Sequence, residues 1–323
     1  MLAELREQLL RHIHNPQQQP LSHLGLFQTH QLQALRQVPI HQPTLILVIA
    51  GCKTLLAPGQ HMTASGGQML LVKAGEAVNL TNDPCAEQGL YLALTIGFSD
   101  QVIRHYQDLQ HSQQTTPKPE TVRPISLIQE RAKPQNPAKQ NGQQNDPKKT
   151  AQYNTALAMS AELIRCAQQW VALCQKPDSP TVLHTLKAVE LLVHLEQSVP
   201  SEHTLTLNEF LGSAKASWKT KTLDLLQSDL ARGWQISDVC QRLATSESSL
   251  RRHLQSEGTS FRELLEDSRL LAALGMLQES YRPIGHIALD VGYSNQGHFT
   301  ERFKKRFAMS PSELRQTREP VAM

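Results

Sequence analysis

Arg251 and Arg252 stand side by side in residues 236–258, a stretch whose apolar positions fix which way they point. Ile236, Val239 and Leu243 recur at the spacing of one buried helical face, and Leu250 and Leu254 repeat four residues apart on a second. The short link Ala244-Thr245 separates the two helices, and Ser246 is placed to cap the second. Glu247, Ser248, Arg251, Arg252 and Gln255 are left facing outward, with Ser249 close by. A guanidinium pairs bidentately with guanine or holds a phosphate, while small serine side chains let a helix approach closely. The stretch therefore predicts a helix-turn-helix suited to the major groove of double-stranded DNA.

The same layout returns in residues 284–307. Ile284, Ile287, Ala288 and Val291 form the first stripe, Gly292-Tyr293 the turn, and Ser294 the expected cap of a helix with Phe299, Phe303 and Phe307 one turn apart. Leu250 corresponds to Phe299 and Leu254 to Phe303. The three phenylalanines are expected core. Asn295, Gln296 and His298 are the candidate base readers of this unit, since amide side chains match adenine, and Thr300, Arg302 and Lys304 complete the candidate set. Between the units, residues 260–279 carry a stripe of Phe261, Leu264, Leu265, Leu271, Leu274 and Leu277. About eighteen helical residues make a strut of roughly 27 Å. With the widths of the flanking units added, that approaches the ~34 Å of one DNA turn, so one chain could place two readers in successive major grooves.

On these residues, 221–315 resembles the DNA-binding domain of the AraC/XylS family of bacterial transcription regulators. The likeness is carried by Ser249-Leu250-Arg251-Arg252, Gly258-Thr259-Ser260-Phe261-Arg262, Ile287-Ala288, Val291-Gly292-Tyr293-Ser294, Gln296, His298-Phe299, Phe303-Lys304 and Ser310-Pro311-Ser312-Glu313. It implies that the helices beginning at Ser246 and Ser294 read an operator and that RNA polymerase is a partner. Glu301 stands where the family often has a basic residue. Ala244 and Ala308 replace frequent glycines at helix ends, which predicts strained turns.

Charge alone would not identify a nucleic-acid partner. The chain has 323 residues and a formal net charge of +3, and residues 221–323 hold 14 Lys and Arg against 13 Asp and Glu. What matters is that Arg251-Arg252 and Arg302, Lys304, Lys305 and Arg306 fall on the reader helices. Five scattered cysteines with no zinc spacing read as reduced thiols. No apolar run is long enough for a membrane span, and the first fifteen residues mix Glu, Arg and His into their apolar positions, so a cytoplasmic location is expected.

The N-terminal part changes period. Residues 1–14 form an amphipathic helix whose His12 and His14 diverge as a surface pair. Short apolar runs at 45–50, 69–72, 78–80 and 90–96, parted by turn residues, predict a small antiparallel barrel or sandwich. The family resemblance implies a cupin-like barrel that senses a small molecule. His41 and His61 do not supply the His-x-His set of a metal-holding cupin, so no catalytic residue, metal site or cofactor is expected, and no ligand residue is assigned. The alternative is a cupin-type metal enzyme fused to a helical DNA-recruiting module; a DNA-repair alkyl acceptor would need a Pro-Cys-His context that is absent.

A helix from Ser99 to Gln110 is followed by a Gln/Pro/Lys-rich stretch at 111–150, with 7 Lys and Arg against 3 Asp and Glu, read as a disordered linker in which 122–128 docks on the barrel. Helices are expected at 155–174 and 180–198; the resemblance implies that they form a homodimer contact, while an intrachain hairpin explains the same apolar stripes. The first helix of the DNA-binding part is expected at 216–231, stopped by Gly233. The expected fold is thus α+β: an N-terminal cupin-like antiparallel β-barrel with a helical hairpin and a C-terminal all-α tandem helix-turn-helix domain. The expected divisions are 1–110, a sensor; 111–150, a linker; 151–215, a dimerisation and connector region; and 216–323, the DNA-binding domain.

Overall fold

Beyond its first residue, the strand Thr44–Ala50 is buried without alternation, so both of its faces need cover. The structure, a computed structural model, describes residues 1–15, 21, 23–75, 77–85, 89–114, 156–176, 178–199, 204–212 and 217–319. Its elements run α1 (Leu2–Ile13), β1 (Gly25–Thr29), β2 (Gln33–Pro39), β3 (Thr44–Ala50), β4 (Cys52–Ala57), β5 (Gln60–Ser65), β6 (Gln68–Val72), β7 (Ala77–Asp83), β8 (Tyr91–Gly97) and α2 (Asp100–Gln114). There follow β9 (Leu157–Ala158), α3 (Ala161–Cys174), α4 (Thr181–Ser198), α5 (Thr204–Leu211), α6 (Trp218–Gln227), α7 (Ile236–Arg242), α8 (Glu247–Ser256), α9 (Phe261–Glu279), α10 (Ile284–Asp290), α11 (Gln296–Phe307) and α12 (Pro311–Gln316).

The strands form two antiparallel sheets, ordered β1-β8-β3-β6-β9 and β2-β7-β4-β5. Neither closes, which corrects the expected cupin-like barrel to an open sandwich. The reason lies at the edges. Beside β6, the two-residue β9 takes the ladder that closure would have given to β5. At the other end β1 bonds only β8, and β2 only β7. The first sheet is buried on both faces. Leu45, Leu47, Leu92, Leu94 and Ile96 face α1, α3 and α4, while Ile46, Val48, Tyr91 and Ala93 share the core of the second sheet. Strands of that second sheet, such as β5 and β7, alternate buried with more exposed residues.

Several boundaries differ from the sequence expectation. His12 is buried at 5% exposure and only His14 is exposed, so they are not a surface pair. α2 runs four residues past Gln110, and residues 115–150, with the expected docking segment, lie outside the described residues. α3 begins at Ala161 because Ser160 caps it, accepting from the Leu163 N–H. α6 is shorter than expected: Ser217 caps it and it ends before Ser228. Gly233 is not its stop; Asp229 accepts from the Arg232 N–H and the Trp234 indole donates to the Asp229 carbonyl.

The C-terminal helices divide between two cores. Leu223, Leu226, Trp234, Val239, Cys240, Leu250, Leu254 and Leu264 form a small core of the first helix-turn-helix. Phe299, Phe303, Phe307, Leu270, Leu274 and Leu277 belong instead to the core that includes Leu35, Val38 and Leu80 of the second sheet.

Candidate nucleic-acid interface

Two turns with the same hydrogen bonds build the two reader units. In the first, Thr245 N–H donates to Cys240 O at 3.0 Å; in the second, Tyr293 N–H donates to Ala288 O at 2.8 Å. The residue before each donor is left-handed, Ala244 at φ 49° and Gly292 at φ 85°. Ala308 closes α11 at φ 59°, so both alanines expected to strain their turns do adopt the conformation glycine favours.

Ser246 caps α8, accepting from Ser249 N–H at 3.2 Å, and its hydroxyl also meets those of Ser248 and Ser249 at 3.1 and 3.0 Å. Ser249 is half-buried and Ser248 exposed. Arg251 is 65% exposed and pairs loosely with Glu247 at 3.3 Å, one helical turn away. Arg252 is exposed and has no hydrogen-bond or ion-pair partner among the described residues. The outward face of α8 is therefore Ser248, Arg251, Arg252 and Gln255.

In the second unit Asn295, not Ser294, is the cap: its side chain accepts from His298 N–H at 3.0 Å. Gln296, His298, Lys304 and Lys305 are exposed, with Lys304 3.9 Å from Glu313, and Thr300 is half-buried. Arg302 points the other way. Its Nε and Nη2 both donate to the carboxylate of Glu266 on α9, and Arg306 pairs with Asp267 at 2.8 Å. Behind them His41 approaches Asp267 at 3.8 Å, and burial, with Lys219 and Arg306 nearby, pushes its pKa down to about 4.

Arg269 was not singled out in the sequence. On α9 it donates to the carbonyls of Leu230 at 3.2 Å and Arg232 at 2.9 Å, next to the first unit. A Cβ on Gly292 would lie 2.6 Å from the same guanidinium. One side chain thus links the segment leading into the first unit with the turn of the second, and sequence spacing carries no signal of it.

A second feature lies between sandwich and strut: a cavity of about 840 Å³, lined in part by Phe27, Val38, Ile46, Leu80, Leu271 and Leu274. Lys53 lines it too, 2% exposed, donating to Asn82 Oδ1 at 2.7 Å and standing over the Tyr91 ring. Burial pushes its pKa down to about 7. From Asn82 the bonds continue to Gln33, which meets Gln278 on α9 at 3.3 Å and donates to Thr317 after α12 at 2.9 Å. The cavity wall is thereby wired to the strut and to the last helix.

An open sandwich joined to two helix-turn-helix units on one strut defines a two-headed regulator-like protein. Residues 20–200 match the model of the AraC-type transcriptional regulator N-terminus, and residues 239–317 match a helix-turn-helix domain. The chain belongs to the AraC-type transcriptional regulators. It is 38% identical over 91 residues to the urease operon transcriptional activator of Escherichia coli, covering 28% of this chain and 31% of that one. It is 32% identical over 115 residues to the transcriptional activator FapR of Escherichia coli, covering 36% and 43%. The matches thus span less than half the length of these relatives. ToxT of Vibrio cholerae shares the fold: the apo structure of a lysine-to-alanine variant superposes with a TM-score of 0.55 at 13% identity, covering 92% of this chain and 97% of that one. ToxT with an unsaturated fatty acid bound gives 0.51 at 15% identity, covering 93% and 96%.

Proposed function

We propose that this chain is a sequence-specific DNA-binding transcription regulator that reads two successive major grooves with α8 and α11 and is controlled by a small molecule held beside the strut. One observation carries the reading: two helices with outward polar and basic faces stand on a single 19-residue strut, about 28 Å long. Ser248, Arg251, Arg252, Gln296, His298 and Lys304 are the proposed contacts; Ser246, Ser249 and Asn295 shape helix starts, Thr300 lies at the margin, and Arg302 positions α11. Selection of bound fragments from genomic DNA tests this directly. A common site of about two turns supports it, and indifference between that site and random duplex sinks it. Affinity should also fall linearly on a log-log salt plot.

The cavity supports an acidic, largely apolar effector. Its apolar walls with one buried ammonium suit a carboxylate on a hydrocarbon body, and the ToxT structure holds an unsaturated fatty acid. Binding should be tightest from about pH 5 to 7, where acid and Lys53 are both charged, and weaken above pH 7 as Lys53 loses its proton.

We divide the chain as sensor at 1–110, connector at 151–215 and DNA-binding part at 216–323. Val182 at 60% and Leu186 at 58% exposure favour α4 as a homodimer contact. RNA polymerase is a partner on family resemblance. Among the described residues no group of three or more His, Cys, Asp or Glu is placed to hold a metal. No helix among them is long and apolar enough to cross a membrane.

A further inference from the structure

Cys52 and Cys85 meet sulfur to sulfur at 2.8 Å where β4 begins beside the end of β7. Two local devices bring them together. Gly51, at φ 75°, makes a corner so tight that a Cβ there would lie 2.5 Å from the Asp83 carbonyl oxygen. β4 therefore starts against the end of β7, with Cys52 paired to Asp83. Past Asp83 the chain doubles back: its side chain accepts from the Cys85 N–H at 2.9 Å, and Cys85 takes φ 53°.

Both thiols are half-buried, so small solutes reach them, whereas Cys166 and Cys240 are buried. Burial pushes Cys166 up to about 12 and raises Cys240 as well, which keeps both protonated and inert. Cys85 S–H donates to Cys52 Sγ, and the Ser65 hydroxyl lies 3.4 Å from the same sulfur. Within the pair Cys52 Sγ is the acceptor.

We propose that Cys52 and Cys85 are a redox modification site at which a peroxide closes an intrachain disulfide. The Cys52 thiolate attacks one oxygen of hydrogen peroxide; an S–O bond forms, the O–O bond breaks, and hydroxide leaves and is protonated to water. The Cys85 thiolate then attacks the sulfenic sulfur, forming S–S and breaking S–O, and a second water departs. Two thiols lose two electrons and two protons; the peroxide takes up both. The sulfurs need to close by about 0.8 Å to reach bonding distance. The bond ties the β3–β4 corner to the start of the β7–β8 connection. There Gly89 N–H donates to Cys85 O, and the His30 ring nitrogen donates to Gly89 O at 2.6 Å. His30 N–H in turn donates to Thr317 O at 2.7 Å, which places the site beside the seam with the C-terminal helices.

The test uses reduced full-length protein exposed to hydrogen peroxide, alkylated, digested without reductant and mapped by mass. The expected product is a Cys52–Cys85 linked peptide pair, reversed by dithiothreitol and formed at least roughly tenfold faster than the Cys166 or Cys240 thiols are lost. In Cys85→Ser, Cys52 should stop as a sulfenic acid trapped by dimedone. A different linked pair, direct passage of either cysteine to sulfinic acid, or both thiols still alkylated would overturn the proposal. If Cys85→Ser does not fold, mapping of the wild type decides alone.

Discussion

Arg252 and Arg302 carry the same guanidinium to opposite tasks. Arg252 projects into solvent from α8, whereas Arg302 is clamped by Glu266 and holds α11 to the strut. Arg252→Ala should weaken operator binding by about 1–3 kcal/mol with the melting temperature unchanged. Arg302→Ala should instead lower stability by roughly 1 kcal/mol and weaken operator and random duplex alike. Paired titrations and melts of the two variants check both. Lys53 sets a second contrast. Its lowered pKa means the unfolded chain holds the proton more tightly, so its contribution is fully present above about 10.5 and is lost as pH falls through about 7. Lys53→Met should stabilise the protein at pH 7 by roughly 2 kcal/mol, after allowing for the Asn82 oxygen left without its donor, and abolish binding of an acidic effector. Denaturant titration across pH 7 to 10 with calorimetry of ligand binding separates the two effects.

Among the elements, the strut and its flanking turns decide how the readers are presented. Ala244→Gly and Ala308→Gly should each raise stability by about 1 kcal/mol, because left-handed backbone penalises a Cβ. Thermal melts measure it, and no gain would mean that another strain dominates those turns. Arg269→Ala should leave binding to either half-site nearly intact while relaxing the spacing tolerated between them, read by selection from a library of spacers. The strut and both units were legible in the sequence because apolar periodicity reports buried faces, and α9 spans Phe261–Glu279 close to the expected range. The cap of α11 was misplaced by one residue although the pattern contained it. Leu250 matches Phe299 at an offset of 49, which carries Ser246 to Asn295; the first helix and the turn keep an offset of 48. Sheet closure was not legible, since alternation tells which face is buried but not which edge pairs with which, and β9 reaches β6 across residues 73–156, which include β7, β8 and α2. Lys53, Arg269 and the Cys52–Cys85 pair escaped for the same reason: each owes its role to contacts distant in sequence.

At the scale of the whole molecule the two heads are not equally attached. The first has its own core, while the second shares one with the sandwich, and Glu279 at the end of α9 accepts from the Leu21 and Leu26 N–H groups at 3.0 Å each. Burial lifts Glu279 to about 7, against the pull of those N–H groups and Arg318. A raised carboxyl pKa contributes stability fully present below about 4.5 and lost as pH rises through about 7. The seam should therefore loosen over that window by at most roughly 3 kcal/mol. Hydrogen exchange at Leu21 and Leu26 should accelerate beyond the ordinary base-catalysed rise, and an unaltered protection factor from pH 5 to 8 would refute it.

The dissimilar side chains on α8 and α11 also give the molecule a heading. A twofold-symmetric dimer reads the same in either direction along its site, but a serine-arginine head followed by a glutamine-histidine head does not. Turning the operator around would turn the protein end for end relative to the gene it controls. Such a site should work in one orientation only, unlike a palindrome.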